Sequence, residues 1–171
     1  MIDGSEDKAL QIAQAAFQGA RTGDLEAIRV ALDLGLSARA RNDKGDSLVM
    51  LAAYYGYADA ARLLLERGAD SEVANDRGQT PLAGAVFKGD IAIVTLLLDH
   101  GALVDGADPQ GRTALHFAAM FDRVELMELL LSRGAQLRKP DAAGVTPLQA
   151  ARAMGAMKTA ALIEKLESQA A

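Results

Sequence analysis

The stretch Gly78-Gln79-Thr80-Pro81-Leu82 begins with one member of a glycine ladder that runs along the chain. The members of this ladder are 33 residues apart, and they are Gly45, Gly78, Gly111 and Gly144. A second ladder with the same period consists of Gly35, Gly68, Gly101 and Gly134. Because self-similarity at one fixed period is the signature of a repeat architecture, the sequence predicts an array of 33-residue units.

Each unit contains the start and stop signals of two short helices. The first helix is predicted to begin after a hydroxyl residue that can cap free backbone amides, namely Ser47, Thr80, Thr113 and Thr146. It is predicted to end where the backbone turns left-handed, at Gly56, Gly89, Asp122 and Gly155. The second helix carries a leucine triplet and ends at a glycine of the second ladder. Segments rich in Asp, Asn and Gly follow, and they predict hairpin-like turns between units.

The segments around the predicted helix starts also carry a family resemblance. They read Gly78-Gln79-Thr80-Pro81-Leu82, Gly111-Arg112-Thr113-Ala114-Leu115-His116 and Gly144-Val145-Thr146-Pro147-Leu148, and second helices end in Leu64-Leu65-Glu66-Arg67-Gly68-Ala69-Asp70 and Leu130-Leu131-Ser132-Arg133-Gly134-Ala135. Over about residues 8–168 the chain resembles the ankyrin repeat family. The resemblance implies an all-α ankyrin repeat solenoid, in which helix-turn-helix units of 33 residues stack and hairpin-like turns project from them.

The repeat register also predicts the domain organisation. We expect residues 1–171 to form a single ankyrin repeat domain. Its N-terminal capping repeat is predicted at about residues 5–40 and its C-terminal capping repeat at about 140–171. Three full repeats are predicted between them, at about residues 41–73, 74–106 and 107–139.

Composition argues against several classes of function. The 171 residues carry a formal net charge of -5, which disfavours broad nucleic-acid binding because that needs a cationic surface. There is no Cys and there are only two His, so we expect no metal site and no cofactor. No apolar run is long enough for a membrane span, and the acidic N-terminus lacks the features of a secretory signal. We therefore expect a cytoplasmic protein that binds neither nucleic acid nor membrane.

The few aromatic residues predict a surface that binds another protein. Most of them fall at the last turn of a first helix, a stretch that faces the concave side in ankyrin proteins, and aromatics, Met and Arg are enriched in interface cores. The candidate partner-binding residues there are Tyr54, Tyr55, Phe87, Lys88, Met120, Phe121 and Met154, joined by Lys44, Arg77 and Arg112. The alternative interpretation is that some of these rings pack between neighbouring helices.

Charge indicates what kind of partner this surface would take. Six basic residues against three acidic ones give +3 around the predicted stripe, from Arg21, Arg41, Lys44, Arg77, Lys88 and Arg112 against Asp43, Asp46 and Asp76. We therefore expect a partner with a locally acidic and apolar surface. The leading hypothesis is a non-catalytic, monomeric interaction module that acts as inhibitor, adaptor or regulator. The alternative is a self-associating scaffold or a chaperone for subunit assembly.

One segment matches an enzyme motif. Gly45-Asp46-Ser47-Leu48 spells the signature of a family of serine esterases and lipases, but neither histidine has the setting of a catalytic base. The repeat register explains the same residues, so we predict that Ser47 is a helix cap and that the protein is not an enzyme. The family resemblance implies that His116 makes structural hydrogen bonds to the turn. We expect His100 to lie on the surface near a helix end.

A glycine inside a predicted helix needs a separate explanation. Gly84 occupies the register that holds Leu51, Phe117 and Ala150 in other units. Glycine at such a position costs roughly 0.5–1 kcal/mol relative to alanine. We expect the missing side chain to make room for the ring of Phe117 in the next unit.

Overall fold

The computed structural model describes residues 4–169, and helices make up most of that range. They are α1 (Gly4–Thr22), α2 (Leu25–Asp33), α3 (Leu48–Tyr55), α4 (Ala58–Glu66), α5 (Pro81–Lys88), α6 (Ile91–Asp99), α7 (Ala114–Met120), α8 (Val124–Ser132), α9 (Pro147–Met154) and α10 (Met157–Gln169). Extended pairing within residues 4–169 is confined to two isolated bridges at the bases of hairpins, Arg41 with Ser47 and Ala107 with Thr113.

The helices form two parallel layers. Each odd-numbered helix contacts the next odd-numbered helix, from α1 to α9, and these are called the inner helices below. The even-numbered helices from α2 to α10 contact one another in the same way, and these are called the outer helices. Each inner helix also packs against the outer helix that follows it in the chain. The predicted all-α solenoid of stacked helix pairs is therefore confirmed.

The helix boundaries follow from the residues that cap them. Ser47 Oγ accepts a hydrogen bond from the Met50 amide at 3.2 Å, and Thr80 Oγ1 accepts one from the Ala83 amide at the same distance. Inner helices end at glycines with φ of 85°, 84° and 69°. Asp122 takes the equivalent place with φ of 55°, as the glycine ladder predicted. Local sequence therefore determines where these helices begin and end.

The core repeats with the same period. The inner helices contribute fully buried alanines whose small side chains let neighbouring helices approach closely, and these are Ala52, Ala85, Ala118 and Ala151. The outer helices contribute large aliphatic side chains, also fully buried, at Leu64, Leu97, Leu130 and Ile163. Burying one such side chain contributes about 1.5–3 kcal/mol, so stability is distributed along the array rather than concentrated in one centre.

The hairpins between units are held by an Asx ladder, which consists of Asn42, Asn75, Asp108 and Asp141. The Oδ1 atom of each member accepts two backbone N–H groups, from the residues two and four positions further along, at distances of 2.9–3.0 Å. Side-chain acceptors of this kind fix a tight turn without regular strand pairing. Backbone bonds join the first tip to the second and the third to the fourth, because the Asp76 amide donates to Lys44 O at 3.2 Å and the Ala142 amide to Gln110 O at 2.8 Å. Pro109, at the equivalent position between them, has no N–H to donate.

Candidate functional site

A groove of about 580 Å³ lies between the inner helices and the hairpin tips. Residues of α1, α3, α5 and α7 form its base, and the hairpins of three successive units form one side. Its lining includes several residues that the sequence predicted to bind a partner, namely Tyr54, Tyr55, Phe87, Lys44, Arg77 and Arg112. We refer to this feature as the groove.

Three exposed aromatic rings lie along the groove. Tyr54 is 39%, Tyr55 49% and Phe87 46% exposed, which is unusual for side chains of this size. The rings of Tyr54 and Tyr55 meet edge to face, with centroids 5.3 Å apart. The ammonium group of Lys88 lies 4.8 Å from the Tyr54 centroid, a cation–π contact that helps hold this ring in place. The rings are therefore oriented by neighbours while they remain accessible.

The other predicted apolar site residues lie outside the lining of the groove. Phe121 is half-buried and packs edge to face against Phe87, with centroids 5.1 Å apart, so it supports a groove ring from behind. Met120 is also half-buried. Met154 is 54% exposed on α9, beyond the end of the groove. The expected stripe therefore divides into a cluster that lines the groove and residues beside it.

Gly84 lies at the base of the groove, and here the structure corrects an expectation. The space at Gly84 is not filled by Phe117. Outside the backbone of its own helix and its chain neighbours, a Cβ atom built on Gly84 would have Tyr54 Cδ2 within 4 Å, at 3.9 Å, and no atom of Phe117. Phe117 lines the groove further away. The two rings lie on different neighbouring helices, α3 and α7, and the sequence register alone does not show which of them leans towards α5.

The charge of the groove is positive although the chain is acidic. Its lining includes four basic and two acidic residues, a net charge of +2, from Arg21, Lys44, Arg77 and Arg112 against Asp46 and Asp108. Lys44 and Arg77 are exposed at successive hairpin tips and form no ion pair with another residue in the range 4–169. The outer helices, by contrast, expose acidic side chains such as Glu66 and Glu128.

Arg112 differs from the other two cations because it is already paired. Its Nη2 lies 2.8 Å from Asp108 Oδ2, and its Nε donates to the same oxygen at 2.9 Å. The guanidinium also lies 5.1 Å from the centroid of Phe117. The sequence analysis did not predict that Asp108 pairs with Arg112. The signal for this pair is that Asp108 is the member of the Asx ladder that has an arginine four residues further along the chain. Arg112 therefore forms a fixed part of the groove wall, whereas Lys44 and Arg77 present free charge.

Comparison with known families agrees with this architecture. The family model described as ankyrin repeats, in three copies, matches residues 12–108 and again residues 102–168. The chain belongs to the ankyrin repeat family. Among curated proteins, none matches the chain significantly. Ankyrin repeats are generally protein–protein interaction modules and are typically non-enzymatic.

The two motifs that suggested chemistry have structural roles in this ankyrin repeat protein. Ser47 is buried, and its Oγ caps α3 as predicted. His116 is also buried, and its Nδ1 accepts a hydrogen bond from the Thr113 amide at 3.1 Å. The ring proton is therefore on Nε2, which donates to Val145 O of the next unit at 3.1 Å. His100 is exposed, with Nδ1 2.9 Å from Leu96 O. Both histidine predictions are confirmed.

Two carboxyl groups outside the groove have shifted pKa values. The pKa of Asp122 is lowered chiefly because its Oδ1 accepts the Thr159 amide at 2.9 Å, with further help from the Lys158 amide. The pKa of Glu72 is raised because burial disfavours its charged form, although a hydrogen bond from the Leu103 amide opposes that shift. Each carboxylate accepts a hydrogen bond from a backbone amide of the next helix pair or hairpin. Both groups therefore link neighbouring repeats.

Within residues 4–169, no helix combines the length and apolar character that a bilayer crossing needs. The same range contains no group of three or more His, Cys, Asp or Glu side chains placed to hold a metal ion.

Proposed function

We propose that this ankyrin repeat protein binds a partner protein in the groove. The observation that carries the proposal is the cluster of Tyr54, Tyr55 and Phe87, three large rings that lie exposed together in one concave site. Aromatic side chains are enriched among the residues that dominate binding energy in protein interfaces. Because the rings are already oriented by edge-to-face and cation–π contacts, little conformational entropy would be lost on binding.

The charge of the groove supports a partner whose contact surface is acidic as well as apolar. Lys44 and Arg77 present cations from successive tips, while acidic side chains predominate on the outer helices. Complementary charge increases the association rate and disfavours wrongly oriented encounters. In this proposal the protein is non-catalytic and acts as an inhibitor, adaptor or regulator by covering part of its partner.

The proposal includes a monomer in the cytoplasm. A self-associating scaffold would instead bury Tyr54, Tyr55 and Phe87 between two copies of the chain. Light scattering across a concentration series separates these alternatives. A constant monomer mass supports the proposal, whereas a dimer that charge substitution at Phe87 dissociates would replace it with the scaffold alternative.

The test of the proposed function is affinity capture from native extract with matched surface variants. Tyr55→Glu and Phe87→Glu place charge on groove rings, and Phe121→Glu does so at the ring behind Phe87. Met157→Glu is the control, because Met157 is 75% exposed on α10, away from the groove.

We expect the groove variants to lose a partner that wild type and Met157→Glu both retain, with unchanged circular dichroism. The proposal is wrong if the Tyr55 and Phe87 variants fold and capture the same proteins as wild type. Unfolding of the Phe121 variant alone would show that this half-buried ring belongs to the packing.

A further inference from the structure

We infer that the space above Gly84 is a binding pocket for one large apolar side chain of an acidic peptide segment in the partner protein. This inference rests on the proposed function, since it names the kind of segment that the groove would take. The pocket is bounded by Tyr54, Phe87 and Phe117, and the cations Lys44 and Arg77 lie along its tip side.

The backbone does not require glycine at position 84. Gly84 lies within α5, its amide donates to Thr80 O at 3.1 Å as in a regular helix, and its φ is not in the left-handed region. Glycines such as Gly56 and Gly89 differ in this respect, because they end helices with positive φ. Any residue that forms helices would satisfy the backbone at Gly84.

No neighbouring side chain packs so closely against Gly84 that a larger residue would be excluded there. Apart from its chain neighbours and the backbone of its own helix, a Cβ atom at Gly84 would have one atom within 4 Å, Tyr54 Cδ2, in an ordinary van der Waals contact at 3.9 Å. At Gly23, in contrast, the ring of Tyr57 lies directly against the glycine and leaves no room for a Cβ atom. Gly84 therefore opens space towards the groove rather than relieving a close contact.

The repeat register shows that Gly84 interrupts a row of side chains. The residues at this position in neighbouring units have side chains, and these residues are Leu51, Phe117 and Ala150. Leaving out one side chain in such a row creates a gap on the base of the groove, with aromatic rings from the helices on both sides. A gap with apolar walls fits an aromatic or large aliphatic side chain, which would be removed from water there.

The positive charge beside the gap indicates which kind of peptide segment would place such a side chain there. Lys44 and Arg77 occupy equivalent positions in successive hairpins. A peptide that runs along the groove from one repeat to the next would therefore pass both cations in turn. Neither side chain is engaged in an ion pair with the described residues. Acidic residues flanking the apolar side chain would satisfy both cations.

The test is selection of a displayed library of random peptides against the full-length protein. We expect enriched peptides to share one large apolar residue flanked by Asp or Glu. Gly84→Leu should fill the pocket and weaken binding of these peptides by roughly ten- to a hundredfold, since one buried apolar side chain is worth that much affinity. Ala153→Leu, which adds the same side chain at an exposed inner-helix position outside the groove, should leave binding unchanged.

Two further variants keep the test decisive if Gly84→Leu does not fold. Gly84→Met fills the same space with a more flexible side chain, and Arg77→Glu reverses one of the two cations without placing a side chain in the space above Gly84. We expect each to reduce affinity for the enriched peptides, and the loss with Arg77→Glu should be greater at low salt.

The outcomes separate the inference from the proposed function. Peptides that lose binding to Phe87→Glu but bind Gly84→Leu and Gly84→Met normally would overturn the Gly84 pocket and leave the groove as the binding site. Enriched peptides without acidic residues would overturn the assigned segment. Failure to enrich any peptide would also overturn the inference, whereas the capture experiment would still test the groove.

Discussion

At the scale of single residues, Asp122 shows how one side chain can serve two repeats. Its left-handed backbone ends α7, and its Oδ1 accepts the Lys158 and Thr159 amides at the start of α10. The Thr159 hydroxyl in turn donates to Ala119 O at 2.8 Å, so a small, partly buried network joins the last two helix pairs. The sequence predicted the backbone conformation of Asp122 but not its bonds to α10.

Asp122 predicts a pH dependence of stability. Because its pKa in the folded protein lies below the ordinary value of 3.8, the carboxylate stabilises the fold above that pH, and the contribution is lost as the pH falls through the folded pKa. We expect Asp122→Asn, which retains an acceptor oxygen, to remove this part of the acid sensitivity. Thermal unfolding between pH 2.5 and 7 measures it.

Asp122→Gly is the matched control for this experiment. Glycine restores the residue found at equivalent positions and suits the positive φ, but it removes the acceptor for α10. We expect this variant to be less stable than Asp122→Asn at neutral pH. Equal stability of the two variants would show that the hydrogen bonds to α10 contribute nothing measurable.

A second prediction at this scale concerns the backbone at Gly84. Since the position is helical and uncrowded, Gly84→Ala should raise the free energy of unfolding by about 0.5–1 kcal/mol, and Tm by roughly 1–4 °C. Gly89→Ala is the control, because Gly89 has φ of 84° and an added Cβ would lie 3.1 Å from Arg123 Cζ. We expect that variant to lose stability. Calorimetry of both variants checks the prediction, and destabilisation by Gly84→Ala would contradict the open pocket.

At the scale of helices and hairpins, the sequence predicted the features that depend on neighbouring residues in the chain, namely the helix boundaries and the turns. The caps at Ser47 and Thr80 and the left-handed glycines depend on residues a few positions apart, and such signals can be read from a single unit. The Asx ladder could also have been predicted from the sequence, since Asn75 and Asp108 recur with the same period as the glycines. Side-chain contacts between units could not be predicted from the sequence, because they depend on the orientation that each side chain takes against the neighbouring unit.

The hairpins carry a prediction that separates local from inter-repeat stabilisation. Asn75 is buried, accepts two amides of its own hairpin, and donates through Nδ2 to Asp46 Oδ1 of the preceding hairpin at 2.8 Å. We expect Asn75→Ala to destabilise the protein by about 1–3 kcal/mol, because it leaves buried polar groups without partners. Urea unfolding measures the loss.

Asp141→Ala provides the comparison for Asn75→Ala. Asp141 accepts the equivalent two amides, from Ala143 and Val145, in the last hairpin, but its side chain makes no bond to the hairpin before it. The difference between the two variants therefore reports the bonds that Asn75 Nδ2 donates, to Asp46 Oδ1 at 2.8 Å and to Gln79 Oε1 at 3.2 Å. A larger loss for Asp141→Ala would contradict the assigned role of these bonds.

At the scale of the whole molecule, the hydrophobic core extends along the array and is not concentrated at one point. Buried rows of alanine and leucine continue from unit to unit, so the stability of each interior helix pair depends on its neighbours on both sides. The period predicted this architecture and the candidate partner surface. It did not predict that Arg112 would be paired with Asp108 while Lys44 and Arg77 remain free, because charge pairing is decided by side-chain geometry within the hairpin.

This architecture predicts a graded pattern of backbone protection. Interior helices have neighbours on both sides, and all six residues from Leu48 to Ala53 of α3 are buried. We expect amide hydrogen exchange to be slowest in α3, α5 and α7 and faster in α2 and α10, which lie at the ends of the described stack. Exchange monitored by mass spectrometry checks this. Uniform protection along the chain would indicate one cooperative unit instead.

The placement of the tyrosines gives the molecule its own optical reporter. The sequence contains three Tyr and no Trp, so tyrosine alone accounts for its near-ultraviolet emission. Two of the three, Tyr54 and Tyr55, lie in the groove, and Tyr57 lies against Gly23. A titration with an unlabelled, tryptophan-free and tyrosine-free peptide can therefore be followed through the native fluorescence of the protein, because such a ligand would cover two of the three tyrosine rings.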